Sequence, residues 1–325
     1  MLRRCDGAKY RIAVSSKCPT GEWLDVIMPH LVRSSGMVFV NAGANKGYNV
    51  AEFLQRYASS NAPSSVAWHD ALVRFEPNLD SPCGVCGACN SNSTTAVKRR
   101  NYDVPVRAYA LEMIPSTAAL LAHMFAFFKI AGSAEHATVS SHSGKARVPA
   151  FAAGRENAIA KMHHAERALR NVSASSTATP MAITQMVTLD KFAAGNRIDR
   201  IDLLSIDTEG HDALVLEGAR HLLQHKRVEV LEFEYHSVGM WDGTTLHHRN
   251  LKNVSAALHN FGYSCFWQRG RDSESAKTDR SSAADASLVS MNGVSWCDMY
   301  EFRSWSNIVC AHSPTVLAAM RSLSI

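Results

Sequence analysis

Apolar positions along the chain recur at two spacings. Trp23, Leu24, Ile27, Met28 and Leu31 repeat at helical spacing, with Pro29 placed to kink or end that helix early. Residues 37–40, Met-Val-Phe-Val, form an unbroken apolar run, the pattern of a strand buried on both faces. Residues 41–47, Asn-Ala-Gly-Ala-Asn-Lys-Gly, follow at once, and Val50, Phe53, Leu54 and Tyr57 then mark one face of a helix. Strand, glycine-bearing turn and helix make the opening unit of an α/β sheet.

The same reading predicts a second strand at 71–75 ended by Glu76, a helix over 117–130, a third strand at 137–140 and a surface helix at 156–170. A fourth strand at 201–206 runs into Asp-Thr-Glu-Gly, residues 207–210, and then a helix at 213–223. Residues 228–233 form a fifth strand whose partly polar alternation turns Glu232 and Glu234 toward a crevice or solvent. A helix at 251–261 and strands at 263–268, 298–302 and 305–310 close the pattern. The fold class is α/β: a doubly wound, mostly parallel seven-stranded sheet, Rossmann-like, in one domain over 1–325. Its core is 19–310, with insertions near 81–110, 148–180 and 269–290.

Composition narrows the class. Apolar residues are 46 % of 325, enough for a sizeable core, and 34 Lys and Arg against 29 Asp and Glu leave a net charge of +5. That mild balance lacks the dense basic stripe of a nucleic-acid binder. No run approaches the 18 apolar residues of a membrane span, and Met-Leu-Arg-Arg at residues 1–4 opens no secretory leader. The chain as written reads as soluble and cytoplasmic, or as a secretory or Golgi-lumen protein if it is a trimmed soluble part. Its oligomeric state is not legible.

Three signals fall beyond strand carboxyl ends, where ligands of open α/β sheets bind: the 41–47 turn, Glu76, and Asp207 with Glu209. The turn lacks both the Gly-Lys-Ser/Thr of a phosphate loop and the three glycines of a dinucleotide fingerprint. A carboxylate such as Glu76 accepts ribose hydroxyls. Together they fit a nucleoside ligand without a pyrophosphate.

These residues resemble a family. Residues 38–47 are similar to the first motif of FkbM-type S-adenosylmethionine-dependent methyltransferases, Asp-x-Gly-Ala-Asn-x-Gly. Phe75-Glu76-Pro77 resembles the family's second-strand ending, and residues 137–140 with Gly144 its Ala-Val-Ser turn. Thr188-Leu189-Asp190, the 201–210 segment and Val215-Leu216-Glu217-Gly218-Ala219 resemble Thr-Leu-Asp, Lys-Ile-Asp-x-Glu-Gly and Val-Leu-x-Gly-Ala. The resemblance implies a class I methyltransferase sheet. S-adenosyl-L-methionine would be held by Asn41, Gly43, Asn45 and Gly47 at its methionine part and by Glu76 at its ribose. The implied activity is methylation of a hydroxyl on a sugar, glycan or other small molecule. Asn41 stands where the family has Asp, and Ser205 where it has Lys.

Methylating a hydroxyl requires a base near the acceptor proton. Asp207 is the first candidate, with Glu209 to orient it or bind the acceptor, and His211 and His236 as neutral bases. Trp241 either walls the acceptor pocket or belongs to the core. Cys83, Cys86 and Cys89, in a glycine-rich loop, are weak candidates for a metal such as zinc, for a disulfide, or for inert thiols. A non-catalytic nucleoside-binding or protein-interaction descendant of the fold is the alternative, and a NAD-dependent oxidoreductase a weaker one.

Overall fold

The computed structural model describes residues 21–58, 62–79, 83, 102, 104–150, 180–236, 241, 250–268, 288–291 and 305–324. Their strands are β1 (Met37–Ala42), β2 (Val106–Glu112), β3 (Gly132–Val139), β4 (Gly144–Pro149), β5 (Met181–Val187), β6 (Ile201–Ile206), β7 (Val228–Tyr235), β8 (Ser264–Gln268), β9 (Leu288–Met291) and β10 (Ser306–Ala311). They form one sheet in the order β4-β5-β3-β2-β1-β6-β7-β10-β8-β9. Pairings from β5 through β3, β2, β1 and β6 to β7 are parallel. Strands β4, β10 and β9 enter antiparallel. The sheet is thus mixed and ten-stranded, a correction to the seven-stranded expectation. The additional strands include β4 and β5, which flank the 148–180 insertion, and β9, which returns from the 269–290 insertion as a hairpin on β8.

Both faces of β1 and β6 are buried, as their apolar runs require. Successive side chains point to opposite faces, so each strand feeds two cores. On one face Phe39, Leu203 and Val230 pack with α1 (Glu22–Leu31), α2 (Tyr48–Tyr57), α3 (Ser65–Phe75), α4 (Pro115–Phe127) and α9 (Pro314–Ser322). Phe39 stacks on Phe53 of α2 with centroids 4.5 Å apart. On the other face Val40, Leu204 and Leu231 meet α5 (Leu189–Gly195), α6 (Asp212–Gly218), α7 (Arg220–Gln224) and α8 (Leu251–Asn260). Trp241 is core: it lies 5.2 Å from the Tyr235 ring and is 2 % exposed.

One strand assignment fails, with consequences for the site. Residues 71–75 are the last turn and a half of α3, which Ser64 caps by accepting from the Ala67 N–H. A short apolar run is ambiguous between strand and helix tail; here Trp68, Ala71 and Leu72 sit on one buried helical face. The second strand is β2, which begins inside the stretch expected as insertion. The helix at 156–170 and the strand at 298–302 lie outside the described residues. The helix expected at 213–223 is present but divided at Ala219.

Several motif residues serve the scaffold. The Thr188 hydroxyl caps α5, and both Asp190 carboxylate oxygens accept from the N–H groups of His221 and Leu222 at 2.9 Å, capping α7. Asp202 accepts the Val38 N–H at 2.8 Å and pairs with Arg200 at 3.0 Å, tying β6 to the start of β1. A Cβ on Gly218 would lie 2.1 Å from the Ser140 carbonyl oxygen, so α6 approaches the end of β3 only without a side chain there. Cys265 and Cys310, cross-strand partners on β8 and β10, form a disulfide. Replacing Asp190 with Ala removes both cap bonds and is expected to lower stability by about 1–2 kcal/mol, read from urea denaturation midpoints at unchanged slope.

Candidate functional site

Chain direction across the sheet reverses between β1 and β6: β2 and β3 extend one way, β6 and β7 the other. The crevice at such a switch point lies beyond the carboxyl ends of the two strands. Here those ends are locked together. The Asp207 N–H donates to the Ala42 carbonyl at 2.9 Å, and a Cβ on Gly43 (φ +80°) would lie 1.8 Å from the Asp207 carbonyl oxygen. Only glycine permits that approach with that dihedral. Gly47 is confined likewise, since a side chain there would meet Trp68 and Leu121.

Four of the turn's backbone donors are spent inside the protein. The N–H groups of Gly43 and Ala44 both donate to the Leu111 carbonyl, that of Gly47 to Ala44, and that of Asn45 to a Glu112 carboxylate oxygen at 2.8 Å. The other Glu112 oxygen accepts from Ile114 at 2.8 Å, at the start of α4. Glu112, 6 % exposed, therefore staples the turn to the end of β2, and burial raises its pKa against the pull of its backbone donors. The carboxylate at the second strand's end is Glu112, not Glu76; Glu76 closes helix α3. The signal for it was available: alternating Val106, Ala108 and Ala110, then an acid just before Pro115 opens a helix.

Beyond β6 and β7 stand the acids. Asp207, one residue past β6, is exposed to solvent although protein crowds its carboxyl. Register sets it level with Glu234 on β7, whose carboxyl lies close to it. Enclosure first, then the charges of Glu234 and Asp212, hold Asp207 well above the usual carboxylate range. Glu234 is pushed up by burial and by Glu209 and Asp212. Its Oε2 lies 3.0 Å from Nε2 of His236, whose pKa burial lowers. One ligand-type atom each from Glu209, Glu234 and His236 fall within 4.8 Å of one another. Asp212, fully buried at the start of α6, accepts from the Glu234 N–H and the Thr208 hydroxyl, both at 3.2 Å. Glu209 takes a left-handed φ of 52°, unusual for a residue with a side chain, in the turn that carries it over the cleft.

The structure thus brings together Gly43, Asn45, Asp207, Glu209 and His236. His211 is half-buried at the foot of α6, its Nδ1 3.3 Å from the Thr208 carbonyl oxygen. Asn41 lies inside the sheet and donates from Nδ2 to the Ser205 carbonyl at 3.4 Å. Cys83 is disulfide-bonded and so offers no thiolate to zinc; Cys86 and Cys89 lie outside the described residues. A cavity of about 390 Å³ between α6, α7 and α8 is lined by Leu216, Arg220, Val254 and Phe261, and by none of the expected site residues.

The methyltransferase FkbM domain matches residues 41–265, more than half of the chain and all of the site just described. No curated protein and no solved structure matches. The two departures from the resembled motifs, Asn41 for Asp and Ser205 for Lys, are cross-strand partners in the β1–β6 register. The two departures therefore meet in space as an uncharged pair.

Two outcomes follow. Asn41→Asp alone places an unpaired carboxylate in the sheet beside Ser205 and is expected to destabilise the fold by about 2 kcal/mol. Adding Ser205→Lys is expected to recover about 1 kcal/mol or more, read as a coupling energy from chemical denaturation of the four proteins. Asp212, raised to about 6 by burial, keeps its proton in the folded chain to higher pH than in the unfolded one. Its contribution is complete below about pH 4 and is lost as pH rises through about 6. Stability is expected to fall over that window, and Asp212→Asn to flatten the fall by about 2 kcal/mol in urea midpoints taken at intervals from pH 4 to 7.

Proposed function

The chain belongs to the methyltransferase FkbM domain family, and on that premise we propose that it transfers the methyl group of S-adenosylmethionine to a hydroxyl oxygen of a sugar, glycan or other small molecule. The observation that carries this reading is the group of acids, Asp207, Glu209 and Glu234, gathered at the carboxyl ends of β6 and β7 beside the β1–β6 switch point.

The donor set suits a cofactor of this chemistry. A turn with four of its backbone N–H groups bonded internally has little to offer a pyrophosphate, which argues against a dinucleotide. A cleft edged by Asp207, Glu209 and Glu234 favours a cation, and the cofactor supplies, when bound, an electrophilic methyl on a positively charged sulfonium. Gly43 and Asn45, both half-buried, form the wall beside it. Glu112 takes the ribose role: each carboxylate oxygen accepts one backbone N–H and keeps a second lone pair for a hydroxyl.

Catalysis then rests on placement and on proton removal. The cleft holds the acceptor oxygen in line with the methyl and limits water around it. Asp207, reachable from solvent and fixed by its N–H bond to Ala42, takes the acceptor's proton. Burial and the neighbouring acids raise its pKa, the direction that makes a carboxylate a stronger base. Glu209, carried over the cleft on its left-handed turn, contacts the acceptor.

Calorimetry with S-adenosylmethionine and methyl transfer to a panel of sugars and glycans test the assignment. Glu112→Gln is expected to weaken cofactor binding about tenfold or more while Glu76→Ala leaves it unchanged. Asp207→Asn is expected to lower kcat about 100-fold with cofactor affinity within threefold. Absence of cofactor binding by the wild-type chain overturns the reading.

A further inference from the structure

Among the described residues, three side chains of metal-ligating type converge on one point. They are Glu209, Glu234 and His236, and one ligand-type atom of each lies within 4.8 Å of the others. We infer that these three residues hold a divalent cation of the manganese type, on which the hydroxyl oxygens of the acceptor rest. The role toward the acceptor rests on the proposed methyl transfer; the ion site rests on geometry alone.

The fold delivers the three from two elements. Ile206 pairs with Phe233, which sets Asp207 level with Glu234, and Glu209 follows two residues on in the turn after β6. Glu234 and His236, two residues apart at the end of β7, project to the same side. Asp212 ties the two elements together: one of its carboxylate oxygens accepts the Glu234 N–H and the other the Thr208 hydroxyl, both at 3.2 Å. The segments that carry the ligands are therefore positioned by a residue that is not one of the three.

An independent feature lies between Glu234 and His236. Nε2 of His236 is shut off from solvent and stands 3.0 Å from Oε2 of Glu234, yet the two atoms are not hydrogen-bonded. An imidazole nitrogen and a carboxylate oxygen in contact with no proton aligned between them present lone pairs to one another. That contact is repulsive by itself and favourable when both atoms bind one cation. The spacing also selects a geometry. Two atoms each about 2.1 Å from one ion stand about 3.0 Å apart at right angles and about 3.4 Å apart in a tetrahedron. The observed separation is the octahedral edge. Octahedral coordination by one nitrogen and two carboxylates suits Mn2+, since Mg2+ favours oxygen alone and Zn2+ the tetrahedron.

Charge and open positions agree with this use. Asp207, Glu209 and Glu234 carry three negative charges when ionised, so a divalent ion leaves one, and the site still attracts a sulfonium. Three protein ligands leave half of an octahedron open. An acceptor with two neighbouring hydroxyls, as on a sugar ring, fills two of those positions, and Glu209 then contacts it through the ion. A hydroxyl bound to a divalent cation gives up its proton more readily. That proton passes to Asp207 as the oxygen bonds to the methyl carbon. The carbon–sulfur bond breaks, its electron pair goes to sulfur, and the ion is unchanged.

The test is Mn2+ titration of chelator-stripped protein, followed by electron spin resonance. One Mn2+ per chain is expected to bind with micromolar affinity. Spin-echo spectra of the complex are expected to show nitrogen modulation from an imidazole that His236→Gln removes, a signature that a purely structural ring would not give. Glu209→Gln and His236→Gln are each expected to weaken Mn2+ binding about tenfold or more, and Glu76→Ala, at the end of α3, to leave it unchanged. Glu209 is half-buried in a turn, so its variant stands in if that of buried His236 does not fold. Absence of Mn2+ binding by wild type, binding without nitrogen modulation, or equal affinity in Glu209→Gln overturns the site. In turnover, removing the ion is expected to lower kcat about 100-fold, with recovery on adding Mn2+. Full turnover in excess chelator overturns the role toward the acceptor. Mn2+ binding is read without cofactor or acceptor, so the ion site is decided even where calorimetry refutes methyl transfer.

Discussion

The contact of Gly43 with the Asp207 carbonyl, together with the Asp207 N–H bond to Ala42, sets the distance between the ends of β1 and β6. Every other feature of the site is referred to that distance. It brings the 41–47 turn against the 207–210 turn with no side chain between them, so the residues that face the cleft are those on the outer sides of both. It also places Asp207 one step beyond the last residue of β6, level with Glu234 across the sheet. A single methyl group at position 43 would push the two strand ends apart. The parallel pairing of both strands to apolar neighbours resists that movement, because β1 and β6 are buried on both faces. The constraint is local in sequence and global in effect.

Much of this was legible before any coordinates. Parallel strands buried on both faces are written as unbroken apolar runs, and 37–40 and 201–206 are such runs. The placement of Asp207 beside the glycine turn followed from strand order alone. The second strand was not legible, because Ala-Leu-Val-Arg-Phe at 71–75 satisfies a strand pattern over five residues while its partner Trp68 makes it a helical face over eight. The Phe-Glu-Pro that followed then mimicked a strand ending. Strand β2 itself carries Arg107 and Tyr109 among alanines, a weak apolar signal that only its neighbours β1 and β3 make a core strand. Strands β4 and β5 were missed for a related reason: they lie at the sheet's edge, half-exposed and polar, so neither period dominates.

The motif residues divide into two kinds once seen in place. Thr188, Asp190, Asp202 and Gly218 cap helices, tie strands or make room, and they explain why such a pattern holds its spacing without any ligand. Asp207, Glu209 and Glu112 stand where the sheet opens. Asn41 and Ser205 belong to neither kind. They sit in a buried polar row with Glu232, which the side chains of Ser205 and Gln268 both bond. Since the two uncharged side chains are register partners, neither leaves a charge stranded in the sheet.

The acids at the carboxyl ends of β6 and β7 present the opposite situation, like charges gathered rather than paired. Asp207, Glu234 and Asp212 each have pKa values raised by burial, and the first two also by neighbouring acids. Such a cluster is tolerable only if protons are shared within it or a positive charge is brought to it. A proton shared between neighbouring carboxyls is the first solution, open to the free protein. A sulfonium at the cleft would be the second, in the bound one. The two are linked: an arriving cation lowers the pKa of the carboxyls nearest it and weakens their hold on the shared proton. Cofactor binding would thereby leave Asp207 more fully ionised when an acceptor hydroxyl arrives. Under the proposed function, a cluster that costs stability in the free protein would couple cofactor binding to the readiness of Asp207 as base.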